Sequence, residues 1–248
     1  MNKIKLMHGD CLDLMKDIPD RSVDMVMCDP PYGTTGCKWD VVIPFEPMWA
    51  QLKRIVKPNG AIVMTASQPF TSALVMSNTK MFKYDWVWTR SHKSRHLQAK
   101  RMPMLAHESV LVFYQKPPKY CPIKINGNGK VGKKAGRTNT EAYKTVKGQE
   151  DYRRPNYVSK DTVIRGFPVE DRGLHTTQKP VPLMEYLINI YTDKEEVVLD
   201  FTMGSGTTGV ACLNIGRKFI GIEKGDIEFK QASDRIEKHK KLTDSYLI

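Results

Sequence analysis

Stretches of strand length alternate with stretches of helical period along most of the chain. Alternating or continuous apolar positions predict strands over residues 3–8, 23–28, 61–65, 84–88, 110–114, 197–201 and 218–223. Apolar positions three or four apart, with Pro or Gly at several ends, predict helices over residues 12–18, 47–56, 181–191, 204–215 and 229–236. Strands that alternate with helices indicate an α/β fold, in which helices cover both faces of a mostly parallel sheet.

The periodic pattern stops between residues 117 and 172. Only 16 of these 56 residues are apolar, and Asn126-Gly127-Asn128-Gly129 adds a flexible stretch. Such a change in composition is typical of an insertion rather than of a core segment. We therefore predict one discontinuous domain, made of residues 1–116 and 173–248, with an insert over residues 117–172.

Positive charge is concentrated in the middle of the chain, which has 39 basic and 27 acidic residues and a net charge of +12. Residues 80–101 hold seven Lys or Arg and one acid, and residues 117–172 hold thirteen and six, so these segments account for the whole excess. Clustered cations favour a polyanionic partner. Aromatic residues among them, such as Trp86, Trp88 and Tyr157, favour nucleic acid over a membrane surface. The alternative is a basic loop that is merely solvated.

Composition excludes several other classes of protein. Of the 248 residues, 40% are hydrophobic and 27% are charged, which is ordinary for a globular protein. No run approaches the ~18 apolar residues that a membrane span needs, and the N-terminus lacks the apolar core of a secretory signal. The five cysteines are scattered, without a C-x-x-C pair. They argue against a disulfide framework and a zinc site, and they predict a reducing cytoplasm and no metal.

A Gly-rich segment at residues 204–209 follows a predicted strand and begins a predicted helix. Glycines let the backbone approach a ligand closely, and a helix N-terminus favours negative charge. Glu223 comes nineteen residues after Gly204, at the end of the next strand, where its carboxylate can accept both hydroxyls of a ribose. Taken alone, the pattern also fits a nicotinamide dinucleotide site or a tight turn without a ligand.

The second candidate site is Asp29-Pro30-Pro31-Tyr32, at the end of a buried strand. The exocyclic amine of adenine is a poor nucleophile because its lone pair is delocalised into the ring. A carboxylate and a backbone carbonyl that accept its two N–H groups favour a more tetrahedral nitrogen, and this stabilisation grows in the transition state. An aromatic ring nearby can stack on a base drawn out of the duplex, while the prolines fix the backbone.

Five segments together resemble the S-adenosylmethionine-dependent amino-methyltransferases of DNA, in their circularly permuted beta group. They are His8-Gly9-Asp10, residues 29–32, His107-Glu108, residues 175–180, and the Gly-rich segment with residues 219–223. The resemblance implies a Rossmann-like, seven-stranded, circularly permuted methyltransferase sheet with a basic recognition insert. It also implies methyl transfer from S-adenosylmethionine to N6 of a flipped-out adenine in double-stranded DNA, in the cytoplasm of a bacterium or of a phage host.

The resemblance implies a role for each site residue. The catalytic residues are Asp29, Pro30, Pro31 and Tyr32. The residues that bind the cofactor are Asp10, Gln178, Lys179, Asp200, Gly204, Ser205, Gly206, Thr207 and Glu223. Lys179 and Gln178 are expected near the methionine carboxylate of the cofactor.

The sequence departs from the group's motifs at two positions. Thr176 replaces a proline, and Thr202 stands where the group has an aromatic residue. The alternatives that stay open are methylation of N4 of cytosine or of adenine in RNA, a nicotinamide oxidoreductase, and a DNA-binding protein without catalysis. A homodimer and a cognate restriction nuclease are further partners that the group suggests.

Overall fold

One sheet of eight strands dominates a computed structural model of the protein, which describes residues 3–37, 39–121, 124–126, 157–159, 161–168 and 178–245. The strands of this sheet are β1 (Ile4–His8), β2 (Val23–Cys28), β3 (Val56–Ala66), β4 (Phe82–Ser94), β5 (Leu105–Phe113), β8 (Val163–Ile164), β9 (Val197–Asp200) and β10 (Lys218–Glu223). Two further strands, β6 (Lys124–Asn126) and β7 (Tyr157–Ser159), form a separate antiparallel pair.

Both ends of the chain contribute neighbouring strands to the sheet. Its order is β1-β10-β9-β2-β3-β5-β4-β8, and only the pairs of β5 with β3 and β4 are antiparallel. The prediction of a mostly parallel sheet is confirmed. The number of seven strands is wrong, because β8 adds an eighth by pairing with β4 through Val87↔Val163 and Trp88↔Ile164. A strand of two residues is too short to show a period in the sequence.

Six helices lie between or after the strands in the described residues. They are α1 (Cys11–Leu14), α2 (Phe45–Ile55), α3 (Phe70–Ser77), α4 (Val181–Tyr191), α5 (Thr207–Asn214) and α6 (Asp226–Ser245). Side chains of α1, α2 and α3 form one buried cluster with Val26 and Cys28 of β2. Met25 and Met27 alternate with these residues along β2 and are equally buried, so the sheet is covered on both faces.

Several helices differ from the prediction: α1 ends already at Leu14, and α6 is longer than predicted. We predicted no helix over residues 70–77, where α3 lies. The predicted helix 204–215 begins only at Thr207, because Gly204 and Gly206 have positive φ angles of 49° and 75°. This left-handed conformation cannot continue a right-handed helix, so the glycines form the turn before α5.

Two of the aromatic residues that we assigned to a nucleic-acid surface lie in the core instead. Trp86 and Trp88 are 4% and 1% exposed. They alternate along β4 with more exposed residues, and the Trp86 indole N–H donates to the Tyr191 hydroxyl at 3.1 Å. That part of the surface interpretation is therefore wrong.

The chain divides into two compact units, of which one comprises residues 1–121 and 162–248 and the other residues 122–161. The second unit lies within the predicted insert 117–172, although β8, which also falls in that range, belongs to the main sheet. Most of the insert and residues 175–177 lie outside the described residues. The recognition role of the insert stays a prediction.

Candidate active site

Four carboxylates follow four adjacent strands at one edge of the sheet. Asp10 and Asp29 come shortly after β1 and β2, and Asp200 and Glu223 end β9 and β10. Because β1, β10, β9 and β2 are neighbours and parallel, their carboxyl ends meet at the same edge. This is the edge where open α/β sheets bind ligands. The fold thus brings both predicted motifs together, although 170 residues separate Asp29 from Asp200 by number.

The Asp29 carboxylate is held at both of its oxygens. Its Oδ1 accepts hydrogen bonds from the Tyr32 hydroxyl at 2.7 Å and from the Thr65 hydroxyl, and its Oδ2 lies 2.6 Å from Lys179 Nζ. Its main-chain oxygen accepts from Thr202 Oγ1 at 3.2 Å. The side chain is still 32% exposed, so an oriented acceptor faces the edge of the sheet.

Tyr32 is held between Asp29 and an aromatic neighbour. Its ring stacks on Phe70 with centroids 5.2 Å apart and planes inclined by 22°. Burial, together with the negative charge of Asp29, raises the pKa of the phenol well above its usual range, so the hydroxyl stays protonated and donates. Pro30 is buried and Pro31 half-buried beside it. Stacking of Tyr32 on a flipped base stays a prediction.

Lys179 is buried next to Asp29. Besides Asp29, its ammonium lies 3.3 Å from Glu108 Oε2. Burial acts against the positive charge, but Asp29 and Glu108 outweigh it and raise the pKa of Lys179. The ammonium therefore stays charged at neutral pH. Its expected contact with the cofactor stays a prediction, whereas its contacts with these two acids were not predicted.

The Gly-rich turn is fixed by Glu223. One carboxylate oxygen of Glu223 accepts from the Gly204 N–H at 2.9 Å, and the other accepts from the N–H groups of Lys224 and Gly225 at 2.8 and 2.9 Å. An added Cβ on Gly206 would lie 3.2 Å from Ala232 Cβ of α6. The turn is therefore tied to β10 on one side and packed against α6 on the other.

An arginine of α6 holds the residues on either side of Gly206. The Arg235 guanidinium donates to the main-chain oxygen of Ser205 at 2.9 Å and to Thr207 Oγ1 at 3.1 Å. The predicted cofactor residues Ser205, Gly206 and Thr207 thus have fixed positions before any ligand binds. Such preorganisation reduces the entropy lost on binding.

Asp200 and Asp10 have opposite pKa shifts. Asp200 is 3% exposed and accepts from Thr208 Oγ1 at 2.6 Å, and burial raises the pKa of this carboxyl to about 7. Burial also acts to raise the pKa of Asp10, but the Leu12 N–H and Lys224 outweigh it and lower that pKa. At neutral pH Asp10 is ionised, while Asp200 is poised between its two forms.

These residues fit S-adenosylmethionine. Glu223 and Asp10 present carboxylate acceptors suited to hydroxyl and amino groups, and an added Cβ on Gly204 would meet no atom within 4 Å, so the turn is open there. Gln178 Oε1 is buried without a hydrogen-bond partner among the described residues. An orphaned buried acceptor of this kind is expected where a ligand group binds.

The comparison with known families supports this interpretation. Residues 23–234 match the model of the N6/N4 methyltransferases, described as "DNA methylase", and so most of the chain is covered. The chain belongs to the N6/N4 DNA methylase family. The resemblance to DNA amino-methyltransferases is therefore confirmed, while the circular permutation stays a prediction.

Relatives of this methylase cover nearly its whole length. It is similar to the DNA adenine methyltransferase YhdJ of Escherichia coli K12, with 28% identity over 94% of this chain and 82% of the relative. It is also similar to the type II methyltransferase M2.DpnII of Streptococcus pneumoniae, with 27% identity over 95% and 90%.

Solved structures agree with the fold. The M1.HpyAVI–SAM complex matches with a TM-score of 0.62 and 27% identity, over 94% of this chain and 98% of that chain. The cytosine-N4-specific PvuII DNA methyltransferase matches with a TM-score of 0.66 and 15% identity, over 96% and 93%. At that identity the second likeness shows the fold alone.

Three residues around the methylase site were missed. Thr65 is the one polar residue in the apolar run 61–66, and this exception in a buried strand could have identified it from the sequence. Glu108 was noted only as part of a motif. Asp40 accepts from the N–H groups of Gly33, Thr34 and Thr35 at 2.8, 2.9 and 2.7 Å and so closes the loop behind Tyr32, which no local pattern announces.

Within the described residues, two further searches gave negative results. No helix there is long and apolar enough to cross a membrane. In the same residues, no group of three or more His, Cys, Asp or Glu side chains is arranged to hold a metal ion.

Proposed function

We propose that this methylase transfers a methyl group from S-adenosylmethionine to N6 of a flipped-out adenine in double-stranded DNA. The observation that carries the proposal is the Asp29 carboxylate, oriented by Tyr32, Thr65 and Lys179 at the same sheet edge as the Gly-rich turn. Family membership and the names of the adenine-specific relatives support it.

The catalytic motif acts on the target amine. Asp29 accepts one N–H of the amine and the Pro30 carbonyl accepts the other, which favours a tetrahedral nitrogen whose lone pair points at the methyl donor. Both acceptors gain strength as positive charge develops on the nitrogen. Tyr32, already supported by Phe70, stacks on the extruded base. The amine loses its proton after transfer, so no histidine base is required.

Cofactor residues hold the second substrate at the neighbouring strands. S-Adenosylmethionine supplies a methyl group on a cationic sulfonium when it binds. Glu223 and Asp10 hold hydroxyl and amino groups, and the turn from Gly204 to Thr207, with Asp200 behind it, forms the floor of the site. Lys179 lies beside Asp29, and the expected contact of Gln178 and Lys179 with the carboxylate of the cofactor belongs to the same proposal.

Adenine is favoured over cytosine by the leading acid of the motif. In the cytosine-specific branch of the group, serine commonly stands at the position of Asp29, so the acid favours adenine. A cytosine-specific neighbour shares the fold, but its 15% identity carries no argument about the base.

A basic hairpin at the catalytic edge supports a DNA substrate. The carboxyl end of β4 and the amino end of β5 lie at this edge, because β5 runs antiparallel to β3 with Ala66 opposite Ser109. The last residues of β4 and the residues that connect it to β5 carry exposed cations. These are Lys93, Arg95, Lys100 and Arg101. Cations in this position grip phosphates on either side of an extruded base.

The finer features implied by the resemblance belong to the same proposal. The motif order, with Asp29 first and the Gly-rich turn last, is that of the permuted beta group. The proposed setting is the cytoplasm of a bacterium or of a phage host. A homodimer and a cognate nuclease stay predictions.

Expression in a host without DNA methylation, followed by single-molecule sequencing, tests the proposal. We expect N6-methyladenine confined to one short sequence motif. Asp29→Ala abolishes the signal while labelled S-adenosylmethionine still binds. Asp13→Ala, which removes an exposed aspartate paired with Lys16, is the matched control and retains the signal.

Other outcomes distinguish the alternatives. N4-methylcytosine in place of methyladenine overturns the choice of base, and methylated RNA with unmodified DNA overturns the choice of substrate. A purified wild-type protein that binds no S-adenosylmethionine refutes methyl transfer altogether.

A further inference from the structure

A chain of four alternating charges runs from the β4–β5 hairpin to the catalytic carboxylate. Arg90 Nη1 lies 3.3 Å from Glu108 Oε1, Glu108 Oε2 lies 3.3 Å from Lys179 Nζ, and Lys179 Nζ lies 2.6 Å from Asp29 Oδ2. The two inner members are almost fully buried, with 8% and 9% of their side chains exposed. Only the Asp29 end borders the proposed position of the target amine.

We propose that Glu108 is a positioning residue for methyl transfer, which acts on Asp29 by holding the Lys179 ammonium between the two carboxylates. The inference rests on the proposed function and adds to it a residue that does not itself touch the base or the methyl donor. The sequence alone assigned no role in the reaction to the segment His107-Glu108.

The geometry argues against a simple Lys179–Asp29 pair. Glu108 Oε2 is buried and has no hydrogen-bond partner among the described residues. The cost of burying its negative charge is therefore offset by the positive charge of Lys179, 3.3 Å away. A buried carboxylate in this situation pulls strongly on a nearby cation, because interactions are poorly screened away from water. The ammonium is therefore shared, although it lies closer to Asp29.

Sharing the ammonium matters for the strength of Asp29 as an acceptor. A carboxylate that has a cation to itself is largely neutralised and offers less to a further donor. With Glu108 in place, part of the positive charge of Lys179 is balanced from the other side, and Asp29 keeps negative charge for the target amine. Glu108 also fixes the direction from which the ammonium approaches, so Asp29 cannot rotate away.

Groups from several elements lie around Lys179 among the described residues. Asp29 and Tyr32 come from the loop after β2 and Glu108 from β5, and the Tyr32 ring centroid lies 5.8 Å from the ammonium. Arg90 of β4 pairs with the other oxygen of Glu108. Replacing Glu108 by glutamine keeps the size of the side chain and removes its charge. In this variant Asp29 is the one carboxylate among the described residues that still pairs with the Lys179 ammonium.

The test is the rate of methyl transfer to DNA by Glu108→Gln, measured per active site after titration with labelled S-adenosylmethionine. We expect kcat to fall about 10- to 100-fold, as for a displaced positioning group, while the KM for the cofactor, which Lys179 is expected to contact, changes by a smaller factor. Glu237→Gln, an exposed glutamate 3.0 Å from Lys241, is the matched control and keeps the wild-type kcat. A kcat for Glu108→Gln within twofold of wild type, about the scatter of such measurements, overturns the proposal.

A second set of variants shows whether Glu108 acts through Lys179. If it does, Glu108→Gln combined with Lys179→Gln is no slower than Lys179→Gln alone; rate losses that multiply overturn the proposal. If Glu108→Gln does not fold, Glu108→Asp decides the matter. This variant keeps the charge but moves it away from Lys179, so kcat falls by a larger factor than the cofactor KM changes, and an unchanged kcat overturns the proposal.

The wild-type protein separates this proposal from the proposed function. No methyl transfer by the wild type refutes the methylase activity itself. An active wild type with Glu108 variants that have lost only thermal stability refutes the positioning role alone.

Discussion

Thr65 offers the sharpest test of how Asp29 is oriented. It is fully buried at the end of β3, and its hydroxyl donates to Asp29 Oδ1. Thr65→Val keeps the shape of the side chain and deletes this donor, while Thr65→Ser deletes a methyl group and keeps the donor. A hydrogen bond to a charged group contributes about 1.5–3 kcal/mol. If that energy orients Asp29 in the transition state, kcat for Thr65→Val falls about 10- to 100-fold, since 1.4 kcal/mol corresponds to a factor of ten.

Single-turnover transfer of labelled methyl groups to DNA measures this effect directly. Enzyme in excess over DNA isolates the chemical step from product release. The dissociation constant for S-adenosylmethionine stays near the wild-type value in both variants, because Thr65 contacts Asp29 and not the Gly-rich turn. Equal rates for the valine and serine variants would refute the reasoning, because the hydroxyl would then contribute nothing to orientation.

The remaining predictions concern pH and salt. The pKa of Asp200 is about 7 in the folded protein against 3.8 for an exposed carboxyl. Its contribution to stability is therefore fully present below about pH 4 and lost as the pH rises through 7. In urea unfolding between pH 5 and 8, the stability of Asp200→Asn relative to the wild type should rise with pH, by about 2–3 kcal/mol across this interval; parallel curves contradict this. Alanine at the four hairpin cations should reduce the slope of log K against log salt for DNA binding by about 3.6, whereas alanine at four exposed lysines of α6 leaves it unchanged. These controls are Lys230, Lys238, Lys240 and Lys241.

Elements with strong local signals were predicted with correct boundaries. Val23–Cys28 is a continuous apolar run stopped by two prolines, Val181–Tyr191 has Pro at its start, and Lys218–Glu223 lies between a glycine turn and a polar stretch. In contrast, the helix Phe70–Ser77 is apolar on most sides and lacks a side-chain cap. Periodicity cannot identify such a helix, because only its burial between neighbours decides its conformation.

The motifs of the site were found in the sequence, but the contacts between them were not. Asp29 is 36 residues from Thr65 and 150 from Lys179. Pairings over such distances depend on which strands are neighbours, and local patterns carry no record of strand order. The burial of Trp86 and Trp88, by comparison, was available from the alternation along β4, which places Tyr84, Trp86 and Trp88 on one face.

The second compact unit is bounded by two main-chain hydrogen bonds within the first. The Cys121 N–H donates to the carbonyl of Ile190 on α4, and the carbonyl of Thr162 accepts from the N–H of Val87 on β4, both at 2.8 Å. The residues that flank the segment 122–161 on both sides are thus hydrogen-bonded to the sheet domain. The entropic cost of closing a loop grows only slowly with its length. An inserted segment of different length can therefore be joined at these points while both hydrogen bonds are kept. If residues 122–161 have the predicted recognition role, they can change in length and sequence while the edge of the sheet that carries the candidate site keeps its structure.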